Sequence, residues 1–190
     1  MKKFLIIIVL IPNIINVTAY YNSEKLAADF LSYKDVINTQ EDPNNYELDK
    51  EITRREMAKV TLRLSEKNIS DKCEWLFEDL KAGDWWCKYA ESGLNYGFFA
   101  PNKYFHPDLN ISKIEALKMI IKARWIKKEE TEDWRKWYVL AWVKVGLLEE
   151  KFSDYDTKAR RWWIFVIGQN AIEYSWNDED INIIEDLINP

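Results

Sequence analysis

A seven-residue pattern occurs twice in this chain, and it is typical of the start of an α-helix. The two copies occupy residues 52–58 and 111–117, which lie 59 positions apart. Each copy has, in order, an apolar residue, a hydroxyl residue, a basic residue, any residue, a glutamate and two apolar residues. Because a pattern that recurs at such a spacing indicates an internal structural repeat, we expect the chain to be built from similar units.

In both copies the hydroxyl and the glutamate are placed to form a capping box. Thr53 and Ser112 can cap a helix, because their side-chain oxygens accept hydrogen bonds from free backbone N–H groups. Glu56 and Glu115 can reach back to the backbone N–H of the capping residue. We expect each box to stabilise its helix by about 1 kcal/mol. Apolar residues then follow at helical spacing: Met57, Val60 and Leu64 in the first copy, and Ala116, Met119, Ile120 and Ala123 in the second.

A second kind of helix is predicted ahead of these boxes. Four of its residues recur at a shift of 49 positions, Asp84, Trp85, Tyr89 and Gly97 as Asp133, Trp134, Tyr138 and Gly146. Since aspartate is a good N-cap and glycine a common C-terminal cap, each helix is expected to begin at the aspartate and end at the glycine. The pattern predicts an all-α chain of three helix–loop–helix units, at about residues 24–66, 73–126 and 131–175.

The third unit departs from the pattern where its second helix should start. Residues 157–162 take the place of the capping box, and Lys158 and Arg161 replace the hydroxyl and the glutamate. We therefore expect the third unit to be degenerate. Residues 177–190 follow it as an acidic C-terminal tail.

The first 19 residues have the features of a secretory signal peptide. Lys2 and Lys3 precede an apolar run at residues 4–11, and Ala19 ends a suitable cleavage site. A bilayer span needs about 20 apolar residues, so this run is too short, and an uncleaved anchor is the alternative. We expect cleavage after Ala19, export, a domain covering residues 20–176, and no membrane span after cleavage.

Composition excludes several functional classes. The formal net charge is -5, whereas a general nucleic-acid binder usually has a basic surface. One histidine and two cysteines are too few for most zinc sites. No glycine-rich phosphate loop is present, and helix caps and acidic loops explain the many carboxylates. We therefore predict no catalytic residue, no metal, no cofactor and no nucleic-acid partner.

The two cysteines, Cys73 and Cys87, are 14 positions apart. Export places a chain in an oxidising space, where such pairs tend to form disulfides. A Cys73–Cys87 disulfide is the favoured prediction, and two free thiols are the alternative.

Taken together, these motifs resemble the S-layer homology domain, a family built of three such repeats. The middle unit carries most of the resemblance: Phe77, Asp79, Trp85, Tyr89, Ala90, Gly97, Phe105, Pro107, Ile111, Ser112, Lys113 and Glu115. The first unit matches at Ile52, Thr53, Arg54 and Glu56, and the third matches at Asp133, Trp134, Tyr138, Ala141 and Gly146. The resemblance covers nearly all of the chain after residue 19.

The resemblance implies a fold, a function and a location. The fold would be an all-α prism of three helical pairs around a pseudo-threefold axis. The function would be non-catalytic attachment to the cell envelope, at the cell surface, through an acidic cell-wall polysaccharide bound in grooves between the repeats. The ligand-binding residues that it implies are Thr53, Arg54, Ser112, Lys113, Trp85 and Tyr89.

Two alternatives stay open at this point. Arg54 and Lys113 could be solvated surface charges, and the aromatic residues could belong to the core. The same helical scaffold could also serve a secreted protein that binds another protein, such as one on the cell surface, rather than a glycan.

The chain has 10 tryptophans and only 5 glycines, and the two numbers suggest a common cause. Trp125, Trp142 and Trp162 stand at positions where the repeats lead us to expect glycine. One hypothesis is that some tryptophan codons are read as glycine in the natural source. The other is a genuinely tryptophan-rich surface. The intact mass of the natural protein distinguishes them.

Overall fold

The computed structural model describes residues 12–124, 134–144, 146–148 and 151–174. Within these ranges the chain forms helices and no strands, which confirms the predicted all-α class. No helix in the described ranges is both long and apolar enough to cross a membrane. In the described part of the chain the six α-helices are α1 (Pro12–Tyr33), α2 (Arg54–Leu64), α3 (Cys87–Asn95), α4 (Lys113–Arg124), α5 (Trp134–Lys144) and α6 (Arg161–Glu173), and a 3₁₀ helix covers Pro43–Tyr46.

Both predicted capping boxes are confirmed at the starts of α2 and α4. The backbone N–H and the hydroxyl of Thr53 donate to Glu56 Oε2, at 2.9 and 2.8 Å. Ser112 donates to Glu115 Oε2 in the same way, at 2.9 and 2.8 Å. Each glutamate therefore fixes the first turn of its helix through its Oε2 atom.

The predicted start of α3 is wrong, and its predicted end is confirmed. The helix begins at Cys87 with Trp86 at the N-cap, and no side chain caps it. Asp84 instead accepts a hydrogen bond from the backbone N–H of Lys81 at 2.7 Å, so it stabilises the turn before the helix. Gly97 and Gly146 follow α3 and α5 with φ of 76° and 74°, as expected for C-terminal glycines. Asp133 lies outside the described residues.

Three backbone segments that precede α2, α4 and α6 form a closed ring of hydrogen bonds. Ile52 N donates to Ala159 O at 2.9 Å, Ile111 N donates to Ile52 O at 3.1 Å, and Ala159 N donates to Ile111 O at 2.9 Å. Two residues further on, the first residue of each helix donates its N–H to the next segment of the ring. These bonds, all 2.9 Å, are Arg54 N to Leu109 O, Lys113 N to Thr157 O, and Arg161 N to Lys50 O.

The ring corrects the register predicted for the third unit. It makes Ala159 equivalent to Ile52 and Ile111, so Arg160, and not Lys158, occupies the place of the capping hydroxyl. Arg161 then occupies the basic position, and Trp163 replaces the glutamate. The third unit has therefore lost its capping box and kept its cation.

The helices pack around one core that joins the two ends of the described chain. Helix α1 packs against α6, α2 against α3 and α4, and α4 against α5 and α6. Fully buried side chains of the core include Leu31, Met57, Leu62, Leu117, Ile120 and Ile164. The predicted disulfide is confirmed between Cys73 and Cys87, with the two Cα atoms 5.9 Å apart.

Trp142 belongs to this core and is fully buried. Its backbone is equivalent to that of Gly93, because each carbonyl accepts the N–H of the residue five positions later. A β-carbon at Gly93 would overlap the Phe99 ring, whereas at the equivalent position of the third unit a whole indole is buried. Trp162 is half-buried against the core, and Trp125 lies outside the described residues.

Among the tryptophans that the structure describes, Trp75 is the one whose backbone favours glycine. Its φ is 62°, in the left-handed region, and its side chain is 57% exposed. A β-carbon in this region costs roughly 1–2 kcal/mol, and an exposed indole offers little packing in return. We expect Trp75→Gly to raise the free energy of unfolding by about 1 kcal/mol, measured by urea denaturation. The control is Trp85→Gly, at a similarly exposed tryptophan without positive φ, and an equal gain there would contradict this explanation.

Candidate functional site

Arg54, Lys113 and Arg161 are equivalent basic residues that lie where one repeat unit meets the next. Each such boundary is called a seam here, and the three residues are called the seam cations. Each is the first residue of its helix, and its N–H donates to the loop of a neighbouring unit. The dipole at a helix start favours negative charge, and the cation adds to that preference. Each seam cation therefore stands where an anion would be stabilised.

Arg54 lies over an aromatic ring and has no ion-pair partner among the described residues. Its guanidinium carbon is 5.0 Å from the centroid of Phe105. The side chain is half-buried, and Nε is buried without an acceptor. Burial lowers the pKa of Arg54, and the nearby charges of Glu115 and Asp79 oppose that shift. Asp79 is already occupied, because it accepts the N–H groups of Phe105 and His106 at 2.9 and 2.7 Å.

Lys113 is placed in a similar way between two aromatic rings. Its Nζ lies 5.3 Å from the Trp163 ring centroid and 6.0 Å from that of Phe152. Within the described ranges, no carboxylate lies at ion-pair distance from it. Asp154 is near enough to feel its charge, although the hydrogen bond from Thr157 is the main cause of the lowered pKa of Asp154.

Arg161 differs from the other two because its guanidinium is held by the protein's own carboxylates. It donates to Glu56 Oε1 at 2.6 Å, to Glu47 Oε2 at 2.8 Å and to the carbonyl of Tyr46 at 3.1 Å. Only 16% of its side chain is exposed. The hydrogen bond from Lys50 and the charge of Arg161 lower the pKa of Glu47.

A cavity of about 560 Å³ lies beside Arg161. Arg161 and Glu56 line one part of it, and Trp85, Lys88 and Tyr89 line another, at the start of α3. The rings of Trp85 and Tyr89 meet edge to face, with centroids 6.2 Å apart. The cavity thus combines flat aromatic surfaces with positive charge, a combination that suits a sugar carrying a carboxylate.

Lys59 adds a second lysine to this cavity. Its Nζ donates to Asn38 Oδ1 at 2.5 Å. Burial is the main cause of its lowered pKa, and the positive charges of Arg63 and Lys88 act in the same direction. An anion entering the cavity would relieve this repulsion.

The structure divides the predicted ligand-binding residues among different places. Trp85 and Tyr89 line the cavity together with Glu56, whereas Arg54 lies with Phe105 at another seam. Lys113 lies with Trp163 and Phe152, away from both of these places. The hydroxyls of Thr53 and Ser112 donate to Glu56 and Glu115, so both hydroxyls are engaged at the helix starts.

Sequence reasoning missed Arg161, Lys59 and Lys88. Arg161 was hidden by the wrong register of the third unit. Lys59 could have been found from the repeat, because a lysine occurs at the equivalent position 59 residues later, as Lys118. Lys118 lies 4.4 Å from the ring centroid of Trp134, the residue that matches Trp85 in the repeat.

One cluster of possible metal ligands occurs in the part of the chain that the structure describes. The donor atoms of Cys73, Cys87 and Glu91 lie within 4.8 Å of one another. Both sulfurs are in the disulfide, and Glu91 accepts the N–H groups of Glu74 and Leu76 at 2.6 and 2.8 Å. The arrangement therefore anchors the segment that leads into α3.

Comparison with protein-family models gives no match for this chain. Comparison with curated proteins gives no match either. The resemblance to the S-layer homology domain therefore rests on the residues themselves.

Proposed function

We propose that this protein is a non-catalytic module that binds an acidic cell-wall polysaccharide and thereby attaches to the cell envelope. The observation that carries the proposal is that two of the seam cations have no carboxylate partner within the described ranges. Arg54 and Lys113 lie over aromatic rings, and neither has a carboxylate at ion-pair distance in the described ranges. A ligand that brings a carboxylate to each of these cations would give both of them an ion-pair partner.

The chemistry of the two seams supports an acidic sugar over a neutral one. A carboxylate at a seam would meet a cation and the positive end of a helix, and hydrogen bonds between charged groups are the strong ones. The rings of Phe105 and Trp163 are buried, so they position the two cations rather than stack on the sugar. Since the whole chain carries a formal charge of -5, attraction to an acidic glycan must arise locally at these seams.

Binding without catalysis is supported by the way the nearby carboxylates are used. Glu56 and Glu115 cap their helices, and Asp79 holds two backbone N–H groups. A general acid or base needs a carboxyl group that can reach the reacting atoms and exchange a proton there. These three are committed to the fold instead.

Membership of the S-layer homology family is part of the same proposal. The closed ring of hydrogen bonds at Ile52, Ile111 and Ala159 supports a pseudo-threefold arrangement of the three helical pairs. The predicted export signal, whose first 11 residues lie outside the described ranges, is consistent with a place at the cell surface. Helix α1 begins at Pro12 and continues through the predicted cleavage position.

The test is sedimentation of the full chain with purified acidic cell-wall polysaccharide. We expect Arg54→Ala together with Lys113→Ala to weaken binding about tenfold, because two charge-assisted contacts are lost. The control is Arg55→Ala with Arg63→Ala, which removes the same charge from cations already paired with Asp108 and Asp35. Reducing the carboxyl groups of the polysaccharide to alcohols should abolish binding. Unchanged binding by the Arg54/Lys113 variant would refute the assignment.

A further inference from the structure

Glu47 is the feature that sets the Arg161 seam apart from the other two. It lies five residues before Ile52, and His106 lies five residues before Ile111, so the ring places them at equivalent positions. Both have left-handed backbone, with φ of 48° and 59°. The Glu47 carboxylate reaches Arg161, whereas Arg54 has no such partner from the His106 position.

The two carboxylates on Arg161 have different roles. Glu56 also accepts two hydrogen bonds from Thr53, so it cannot leave without opening the start of α2. The Glu47 side chain is 54% exposed, and Lys50 holds it independently, with Nζ 3.1 Å from Oε2. A displaced Glu47 would therefore return to water and keep a partner, and exposed ion pairs of this kind are weak.

We propose that the Glu47 carboxylate competes with ligand for Arg161, the arginine that lines the 560 Å³ cavity. An acidic sugar then binds in this cavity only by displacing Glu47 from Arg161. The inference rests on the proposed function and assigns a third site to it. Lys59, Lys88 and Trp85 are the groups that the incoming sugar would gain in the cavity. The third seam is thus a weaker site than those of Arg54 and Lys113, and Glu47 sets its affinity.

The experiment isolates this seam in the chain that carries Arg54→Ala and Lys113→Ala. The probe is the methyl glycoside of glucuronic acid, and its binding is measured by calorimetry. Adding Glu47→Gln should tighten binding roughly threefold, because the internal competitor loses its charge. Adding Trp85→Ala to that variant should remove the gain, which places it in the cavity.

Glu66→Gln is a matched control for Glu47→Gln. Glu66 has left-handed backbone with φ of 54°, is 77% exposed and pairs with Arg124 at 3.0 Å. Arg124 is 17% exposed and also donates to a backbone carbonyl, that of Leu64. We expect Glu66→Gln to leave binding unchanged.

The outcomes separate this inference from the proposed function. If the unmodified chain binds the probe and Glu47→Gln has no effect in the isolated seam, the role of Glu47 is wrong while the proposed function stands. If neither the unmodified chain nor any Glu47→Gln variant binds the probe or the polysaccharide, the proposed function itself fails. Equal gains from Glu47→Gln and Glu66→Gln would also overturn the inference, because they would reflect net charge alone.

Discussion

Replacing Glu56 by alanine is expected to lower the free energy of unfolding by about 3 kcal/mol, and replacing Glu115 should lower it by about 1 kcal/mol. Both glutamates close a capping box with the same geometry. Glu56 also accepts a hydrogen bond from Arg161 at 2.6 Å, and Arg161 is largely buried. Its loss therefore removes a helix cap and an ion pair between the first and third units, whereas Glu115 forms the cap and has no ion pair among the described residues.

Urea denaturation at neutral pH measures the two losses, with Glu115→Ala as the matched control. Equal losses would show that the contact with Arg161 contributes nothing.

The pH dependence of stability gives a second measurement of the Glu56 contribution. Burial would raise the pKa of Glu56, but the hydrogen bonds from Thr53 and the charge of Arg161 outweigh it, so its pKa in the folded protein is lowered. The stabilisation is therefore present above the ordinary pKa of 4.5 and is lost as the pH falls below it.

Removing the disulfide is expected to lower the free energy of unfolding by about 3 kcal/mol, through Cys73→Ala with Cys87→Ala. The two cysteines are 14 positions apart, and the cross-link restricts the unfolded chain over that loop. The closed loop contains Asp79, which holds the N–H groups of Phe105 and His106. We therefore expect faster amide exchange at Phe105 and His106 as well.

Chemical denaturation with and without a reductant measures the effect on the unmodified chain. The double alanine variant is the control, because a reductant should leave its stability unchanged. Stability that is the same in the unmodified and the double alanine chains would show that the cross-link adds nothing. Unchanged amide exchange at Phe105 would show that the disulfide does not stabilise the loop beside Arg54.

Local chemistry made part of this structure predictable from the sequence. The boxes of Thr53 with Glu56 and of Ser112 with Glu115 involve residues three positions apart, so their spacing alone specifies them. The start of α3 was mispredicted because two local structures compete for Asp84, and its carboxylate stabilises a turn rather than capping the helix. The glycine ends of α3 and α5 were predictable because the left-handed backbone favours glycine.

The third seam could not be predicted from local spacing. Its register is set by backbone hydrogen bonds among Ile52, Ile111 and Ala159, and a backbone bond leaves no mark on residue type. The contact of Glu47 with Arg161 joins residues 114 positions apart. For the same reason the resemblance named Trp85 and Tyr89 as ligand-binding residues without Arg161, beside which the structure places them in the cavity.

The ring at Ile52, Ile111 and Ala159 limits how a chain of this kind can grow. Each of the three residues uses both its N–H and its carbonyl within the ring, so no backbone group there is left to receive another segment. Open repeat proteins lengthen by stacking one more unit on a free end. A fourth unit could not join this ring without breaking it, so a chain of higher valency would need a second complete set of three.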